Sequence, residues 1–221
     1  FNSVTVIVFF LPAALLLYYV TPHKYKNEAL LLESLVFYAF GNVRYLPLAA
    51  GLVVWNYLAA RMMGKESEHS GKRRIWLAAG LAVNLLLLIS FKYGSYLSEL
   101  LNRMTQGDIT FFDMLPLGIS YYLFKLISYL CDVYSGKCDP ETNLIDFSVY
   151  VLMYPQMIVG PIIRYVDIRD DLKNRDRRIR PEDVQRGTRL FVYGLAKKVI
   201  LADTLGMLWS QLAGADGIGL D

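Results

Sequence analysis

Apolar and polar residues alternate in long blocks along this chain. Val4 to Val20 is an apolar run of 17 residues, closed by the turn-forming, basic stretch Thr21-Pro22-His23-Lys24-Tyr25-Lys26. Ala29 to Phe40 resumes it with Glu33 inside, Tyr45 to Met63 carries Asn56, and Ile75 to Phe91 carries Asn84 and Ser90. A bilayer core needs about 20 apolar residues per helix, so the pattern predicts four membrane spans in this first part. Leu97 to Met114 is mixed, with a turn at Gly107-Asp108, and reads as an interfacial segment. Leu115 to Leu130 is apolar and aromatic with one cation, Lys125, and Asp132 to Asn143 is a polar loop. Leu144 to Ile163 is apolar again, but Pro155, Gly160 and Pro161 interrupt it. Proline removes a backbone donor and clashes with the preceding turn, and lipid satisfies no freed carbonyl, so this stretch is expected to be broken and enclosed by protein or to line a cavity. From Thr188 to Leu212, Phe191, Val192, Leu195, Val199 and Ala202 recur at a helical period, which fits a span or a surface helix.

Composition agrees with a membrane protein. Hydrophobic residues make up 55%, aromatics 14%, and the mean hydropathy is +0.34, too apolar for an ordinary soluble domain. Charge gathers in Lys65 to Arg74 and Arg164 to Arg189. The net charge of +3, without a basic motif interleaved with aromatics, fits an anionic membrane leaflet and excludes nucleic acid as a partner. Placing Lys65 to Arg74 in the cytoplasm also puts His23 to Lys26 there and the amino terminus outside. Three further spans would then leave the second basic block outside, against the same rule. One of them must fail to cross, and Leu144 to Ile163 is therefore expected to be re-entrant.

Little conventional chemistry is visible. Cys131 and Cys138 read as ordinary thiols, and no metal-ligand spacing, nucleophile elbow, phosphate loop or carboxylate pair is present. His23 and His69 sit in polar turns and read as solvated. Glu33 is expected to be a hydrogen-bonded residue between helices in preference to a cavity-lining one, and Asn56 and Asn84 to join helices. Lys125 either attracts an anionic carrier or headgroup or snorkels to the interface. Phe1 to Val20 lacks a signal peptide's basic region and cleavage site and reads as a first membrane segment; the chain opens without Met, so it is expected to be trimmed or numbered from within a longer sequence.

Leu115-Pro116-Leu117-Gly118-Ile119-Ser120-Tyr121-Tyr122, Ile127 to Tyr134, Tyr154-Pro155-Gln156 through Gly160-Pro161-Ile162-Ile163-Arg164-Tyr165, and Gly194 to Asp203 together resemble the membrane-bound O-acyltransferase (MBOAT) family, in its alginate O-acetyltransferase-like branch. Ser34 to Gly41 and Phe91-Lys92-Tyr93 match that branch as well. Phe40, where the branch usually has tryptophan, and Lys125, where it usually has glutamine, depart from it. The resemblance implies an all-α, polytopic cell-membrane protein with helices around a central pore. It covers about the first half of such a protein, so residues 1–221 are expected to be the amino-terminal portion of one acyltransferase domain, with cytoplasmic loops near 64–74 and 164–187. The family's catalytic histidine matches no position here and is expected beyond Asp221; the fragment alone is expected to be inactive. The implied reaction moves an acyl group, most simply acetyl, from a cytoplasmic donor such as acetyl-coenzyme A to a cell-surface polysaccharide or an intermediate acceptor protein. No bound cofactor or metal is implied; the partners are membrane lipids, the acyl donor, and an extracytoplasmic acyltransferase or polysaccharide-export protein. Gln156, Gly160, Pro161, Arg164, Ser120, Tyr121 and Lys125 become candidates to line the pore, although the proline-bearing residues can equally serve only to bend a helix. Two rivals come from other classes: a transporter or flippase, disfavoured because the two halves show no internal repeat, and a non-catalytic membrane scaffold.

Overall fold

The structure is a computed structural model that describes residues 5–67, 70–94, 96, 98, 99, 102, 116, 118–157, 161–174 and 180–215. The interfacial segment expected at 97–114 and His69 thus lie almost wholly outside the described residues. Among the described residues there are helices and no strand. Two compact units are present, Phe1–Arg175 and Asp176–Asp221.

In the first unit a π-helical turn, Val6–Phe10, runs into α1, Leu11–Val20, with proline in its first turn, where the missing N–H costs nothing. Thr21 turns extended and ends it. Helices α2 (Lys26–Asn42), α3 (Leu46–Lys65) and α4 (Gly71–Lys92) follow. Two helical stretches, Val43–Lys65 and Gly71–Lys92, are long and apolar enough to cross a membrane; Val6–Val20 is apolar but shorter. The second predicted span is a 17-residue helix that begins at Lys26 and buries Lys26, Asn27, Glu33 and Ser34. Its polar face explains why it falls short of the composition of a simple span.

Helices α3 and α4 pack side by side. At their contact Asn56 and Asn84, both fully buried, exchange hydrogen bonds: Asn56 Nδ2 donates to Asn84 Oδ1 at 3.1 Å and Asn84 Nδ2 donates to Asn56 Oδ1 at 2.7 Å. Each amide thus satisfies the other, as expected of polar side chains joining helices in lipid. Ser70 begins α4 by accepting from the Lys72 amide at 3.2 Å.

Helix α5, Ile119–Tyr134, starts four residues later than the apolar pattern suggests because Gly118 adopts φ +68° and cannot continue a helix backwards. It lies on α4 so closely that a Cβ on Gly80 would stand 2.5 Å from Leu130 Cδ1. The buried Arg73 guanidinium donates to the Val133 and Tyr134 carbonyls at 2.9 and 3.0 Å, placing a cation at the carboxyl end of α5.

After the polar loop come α6 (Leu144–Leu152), α7 (Tyr154–Met157) and α8 (Tyr165–Lys173). Asn27 Nδ2 donates to Asp146 at 2.7 Å and to the Leu172 carbonyl at 2.8 Å, tying α2 to α6 and α8. Tyr129, Phe147, Tyr150 and Tyr165 stack in one buried cluster, with ring centroids 4.7 to 5.3 Å apart for the closest pairs. Within the charged stretch 164–187, residues 165–173 and 181–187 are helical. The second unit contains α9 (Pro181–Ala196), a π-helical stretch Lys197–Ala202 and α10 (Asp203–Ala215). Pro181 in the first turn with Glu182 and Asp183 behind it is a favourable helix start.

Candidate functional site

The apolar stretch from Leu144 does break where its composition demands. Helix α6 stops after nine residues as Met153 turns out of helical geometry (ψ 118°), and α7 restarts for one turn with Pro155 as its second residue. The buried break is satisfied from within the protein. Tyr154 N–H donates to Ser34 Oγ of α2 at 3.1 Å, and Gln156 N–H donates to the Met153 carbonyl at 3.0 Å. From Pro161 to Arg164 the chain is described again and is not helical. Gly160 lies outside the described residues.

Gln156 meets Lys125. The Lys125 ammonium, 1% exposed, donates to Gln156 Oε1 at 3.0 Å and to the Tyr150 carbonyl at 3.2 Å, and it sits 5.5 Å from the centre of the Tyr150 ring. A cation so enclosed does not snorkel, which removes that alternative; its neighbours replace water with two carbonyl dipoles and an aromatic face. The Tyr150 hydroxyl lies 3.3 Å from both the Lys125 and Ile163 carbonyls, and its proton bridges α5 to the chain beyond the break.

Gly118 supports this arrangement from below. A Cβ there would stand 3.2 Å from the Met157 carbonyl carbon and closer still to its oxygen, so α5 begins directly against the end of α7. Ser120 and Tyr121, half-buried, occupy the first turn of α5, Tyr121 one turn before Lys125. Pro161 is exposed.

Arg164 joins a different cluster. It forms a two-pronged ion pair with the buried Asp132, its Nε donating at 3.0 Å to Oδ2 and a second nitrogen donating to Oδ1. Asp132 lies two helical turns beyond Lys125, about 10 Å along α5, so Arg164 and Gln156 mark two separate places. Beside the pair Glu141 accepts from the Thr142 and Asn143 amides at 2.7 and 2.9 Å and from the Tyr165 hydroxyl, with Lys173 Nζ at 3.4 Å. Burial pushes the Glu141 carboxyl up, but the Tyr165 hydroxyl, these two amides and Lys173 outweigh it and hold it below the usual value. Cys131 and Cys138 are free thiols, and burial pushes the Cys138 thiol up to about 11. Among the described residues no three His, Cys, Asp or Glu side chains gather as a metal site.

The sequence reading selected Lys125, Gln156 and Arg164 but not Tyr150, which packs at the first place, or Asp132 and Glu141, which organise the second. Asp132 follows Lys125 by seven residues and so shares its helix face, a spacing that signals a second buried polar residue on that face. Glu33 differs from expectation more sharply. It is 5% exposed, yet neither carboxylate oxygen has a hydrogen-bond partner among the described residues.

No protein-family profile matches the chain, and no solved structure does. Curated relatives do. The chain is 37% identical over 213 residues to a protein of Pseudomonas putida named probable alginate O-acetylase AlgI, covering 94% of this chain and 44% of that protein. It is 31% identical over 234 residues to a Helicobacter pylori peptidoglycan O-acetyltransferase, covering 92% and 44%. A Lacticaseibacillus rhamnosus teichoic acid D-alanyltransferase matches at 31% over 167 residues, covering 72% and 37%. The chain spans less than half the length of the curated relatives it matches, and over that stretch it is a fragment similar to membrane-bound O-acyltransferase-like proteins of the alginate O-acetylase type.

Proposed function

We propose that these residues form part of a membrane O-acyltransferase that moves an acetyl group from a cytoplasmic donor such as acetyl-coenzyme A to a cell-surface polysaccharide or an intermediate acceptor protein. The reading is carried by the alignment of 94% of the chain with an alginate O-acetylase, and two other relatives bear the names of acyl-transferring enzymes acting on peptidoglycan and teichoic acid. The chain then crosses the membrane several times with its amino terminus outside, and the basic stretches near 64–74 and 164–187 lie in the cytoplasm. The broken stretch 144–163 enters from the cytoplasmic side and returns, forming one wall of a central pore.

In the reaction, a base removes the acceptor hydroxyl proton, the oxygen attacks the thioester carbonyl, and coenzyme A leaves as its thiol. By resemblance that base is a histidine, which none of the positions matched here supplies. What these residues contribute is positioning in a water-poor wall. Lys125 holds the Gln156 carbonyl, leaving the Gln156 amide N–H groups to donate to donor or acceptor oxygens. Ser120, Tyr121 and Pro161 shape the wall nearby, and Arg164, held by Asp132, presents remaining guanidinium donors to an anionic group.

The test follows labelled acetyl from coenzyme A to cell-surface polymer in cells carrying the full-length protein, as wild type, Gln156→Ala and Arg164→Ala. Loss of transfer with normal protein abundance is expected in both; unchanged transfer in both refutes the assignment of this wall. Cysteines introduced at Asp146 and Arg169 should be accessible from the same side of the membrane, and opposite sides would exclude the re-entrant path.

A further inference from the structure

Lys125 is a buried cation with no carboxylate paired to it among the described residues. Its ammonium meets only the Gln156 side-chain oxygen at 3.0 Å, the Tyr150 carbonyl at 3.2 Å and the Tyr150 ring. An ammonium carries donors and no acceptor, so the Gln156 amide can turn only its oxygen toward Lys125, and Nε2 points away. Gln156 is half-buried, and its Nε2 is neither shut in nor hydrogen-bonded among the described residues. The backbone beneath it is held as well: Gln156 stands in the one-turn α7, whose Tyr154 N–H is bound by Ser34 and whose end abuts Gly118. Open N–H groups on a fixed amide, backed by a full positive charge, are a preorganised donor for an oxygen on which negative charge develops. An attacking hydroxyl needs a proton acceptor, which this end of the amide lacks. A carbonyl oxygen needs a donor, which it supplies.

We infer that Gln156 is a catalytic residue whose Nε2 N–H donates to the acyl carbonyl oxygen of a thioester donor, with Lys125 as the positioning residue behind it. The assignment rests on the acyl-transfer reading and deepens it, because it names the acyl carbonyl, and not the acceptor hydroxyl, as the group Gln156 meets. When the acceptor oxygen bonds to the carbonyl carbon, its proton passes to the base and the carbonyl π pair moves onto the oxygen that Gln156 holds. Collapse of this tetrahedral species re-forms the carbonyl and breaks the carbon–sulfur bond; the thiolate takes up a proton and leaves as the thiol. Lys125 stands about 7 Å from that oxygen, through one amide, and a full charge at such a distance in protein favours the charged species by about tenfold to a hundredfold.

The experiment supplies membranes carrying the full-length protein with labelled acetyl-coenzyme A over a range of concentrations and follows acetyl entering the endogenous polymer, in wild type, Gln156→Glu, Lys125→Gln and Lys125→Met. Gln156→Glu keeps an oxygen facing Lys125, so the melting temperature should hold or rise, while kcat falls by about 10²–10³-fold and KM for acetyl-coenzyme A stays within about threefold. Unchanged transfer, or a raised KM with kcat unchanged, overturns the inference, because neither is the loss of an interaction made in the transition state. Lys125→Gln keeps a donor and drops the charge, and should lose about tenfold in kcat; Lys125→Met drops both, and should lose about tenfold more. Lys125→Met as fast as Lys125→Gln also overturns the inference. No transfer by the wild type removes the acyl-transfer reading and this assignment with it, whereas wild-type transfer that Gln156→Glu leaves intact removes this assignment alone. Should Gln156→Glu fail to fold, the infrared carbonyl band of carbon-13-labelled acetyl-coenzyme A bound to the wild type decides. It should lie at lower wavenumber than in water; a band at or above its position in water overturns the inference.

Discussion

Replacing Gly118 by alanine should loosen the end of α7 and with it the Lys125–Gln156 pair. Two separate penalties apply. Gly118 has φ +68°, where a residue with a Cβ costs about 1–2 kcal/mol. A Cβ would also press on the Met157 backbone, 3.2 Å from its carbonyl carbon and nearer its oxygen, and relieving such overpacking costs about 1–3 kcal/mol. Together they destabilise by about 2–5 kcal/mol, unless the one-turn α7 moves away, in which case stability is partly kept and Gln156 is displaced. The two penalties can be separated, because asparagine tolerates the left-handed region yet still carries a Cβ. Gly118→Asn should therefore recover only the conformational part. Reversible unfolding of the full-length protein in detergent gives the stability, and acetyl transfer reports the displacement. Gly118→Ala within about 0.5 kcal/mol of wild type, the range of an unremarkable surface change, and with normal transfer would refute the contact. Full recovery by Gly118→Asn would refute only the steric share.

Three further outcomes follow from the same structure. Asn56→Leu and Asn84→Leu should each destabilise by about 1–2 kcal/mol and the double variant by less than their sum, since each single change orphans the other amide; additive costs in a double-mutant cycle would show that the pair does not couple. The folded-state pKa of Glu141 lies below its unfolded value near 4.5, so its contribution is complete above that value and is lost as pH falls through the lower folded pKa. Glu141→Gln should flatten this acid loss in unfolding measured from pH 7 down to pH 3, and an identical acid profile would remove Glu141 as its source. Maleimide should modify the exposed Cys131 well before the buried, poorly ionised Cys138, and mass mapping that finds the reverse order would contradict the packing of the loop.

Much of this was legible in the residues. Long apolar blocks marked α3 and α4, because length and composition suffice to identify a helix of that kind. Pro155 marked the break after Met153, because a missing N–H has the same consequence in any fold. Asn56 and Asn84 were legible as residues that join helices, though that they join each other was not. Other features had no local signature. The start of α5 depends on Gly118, whose need for glycine comes from Met157, 39 positions away. The charge of the stretch after Arg164 gave no sign that Tyr165 and Leu172, on one face of α8, are buried.

The sequence by itself determined the all-α membrane character, the place of the break and the acyltransferase resemblance, since these follow from hydropathy, backbone chemistry and short motifs that act over a few residues. Only the tertiary structure decided which polar groups meet. Lys125 could equally have reached outward until Gln156 and Tyr150 were brought to it, and Glu33 looked like one more interhelical hydrogen bond until neither of its oxygens proved to have a partner among the described residues. A buried charge takes its role from partners distant in sequence, because the energy of a polar group in a low-dielectric interior is set by what surrounds it.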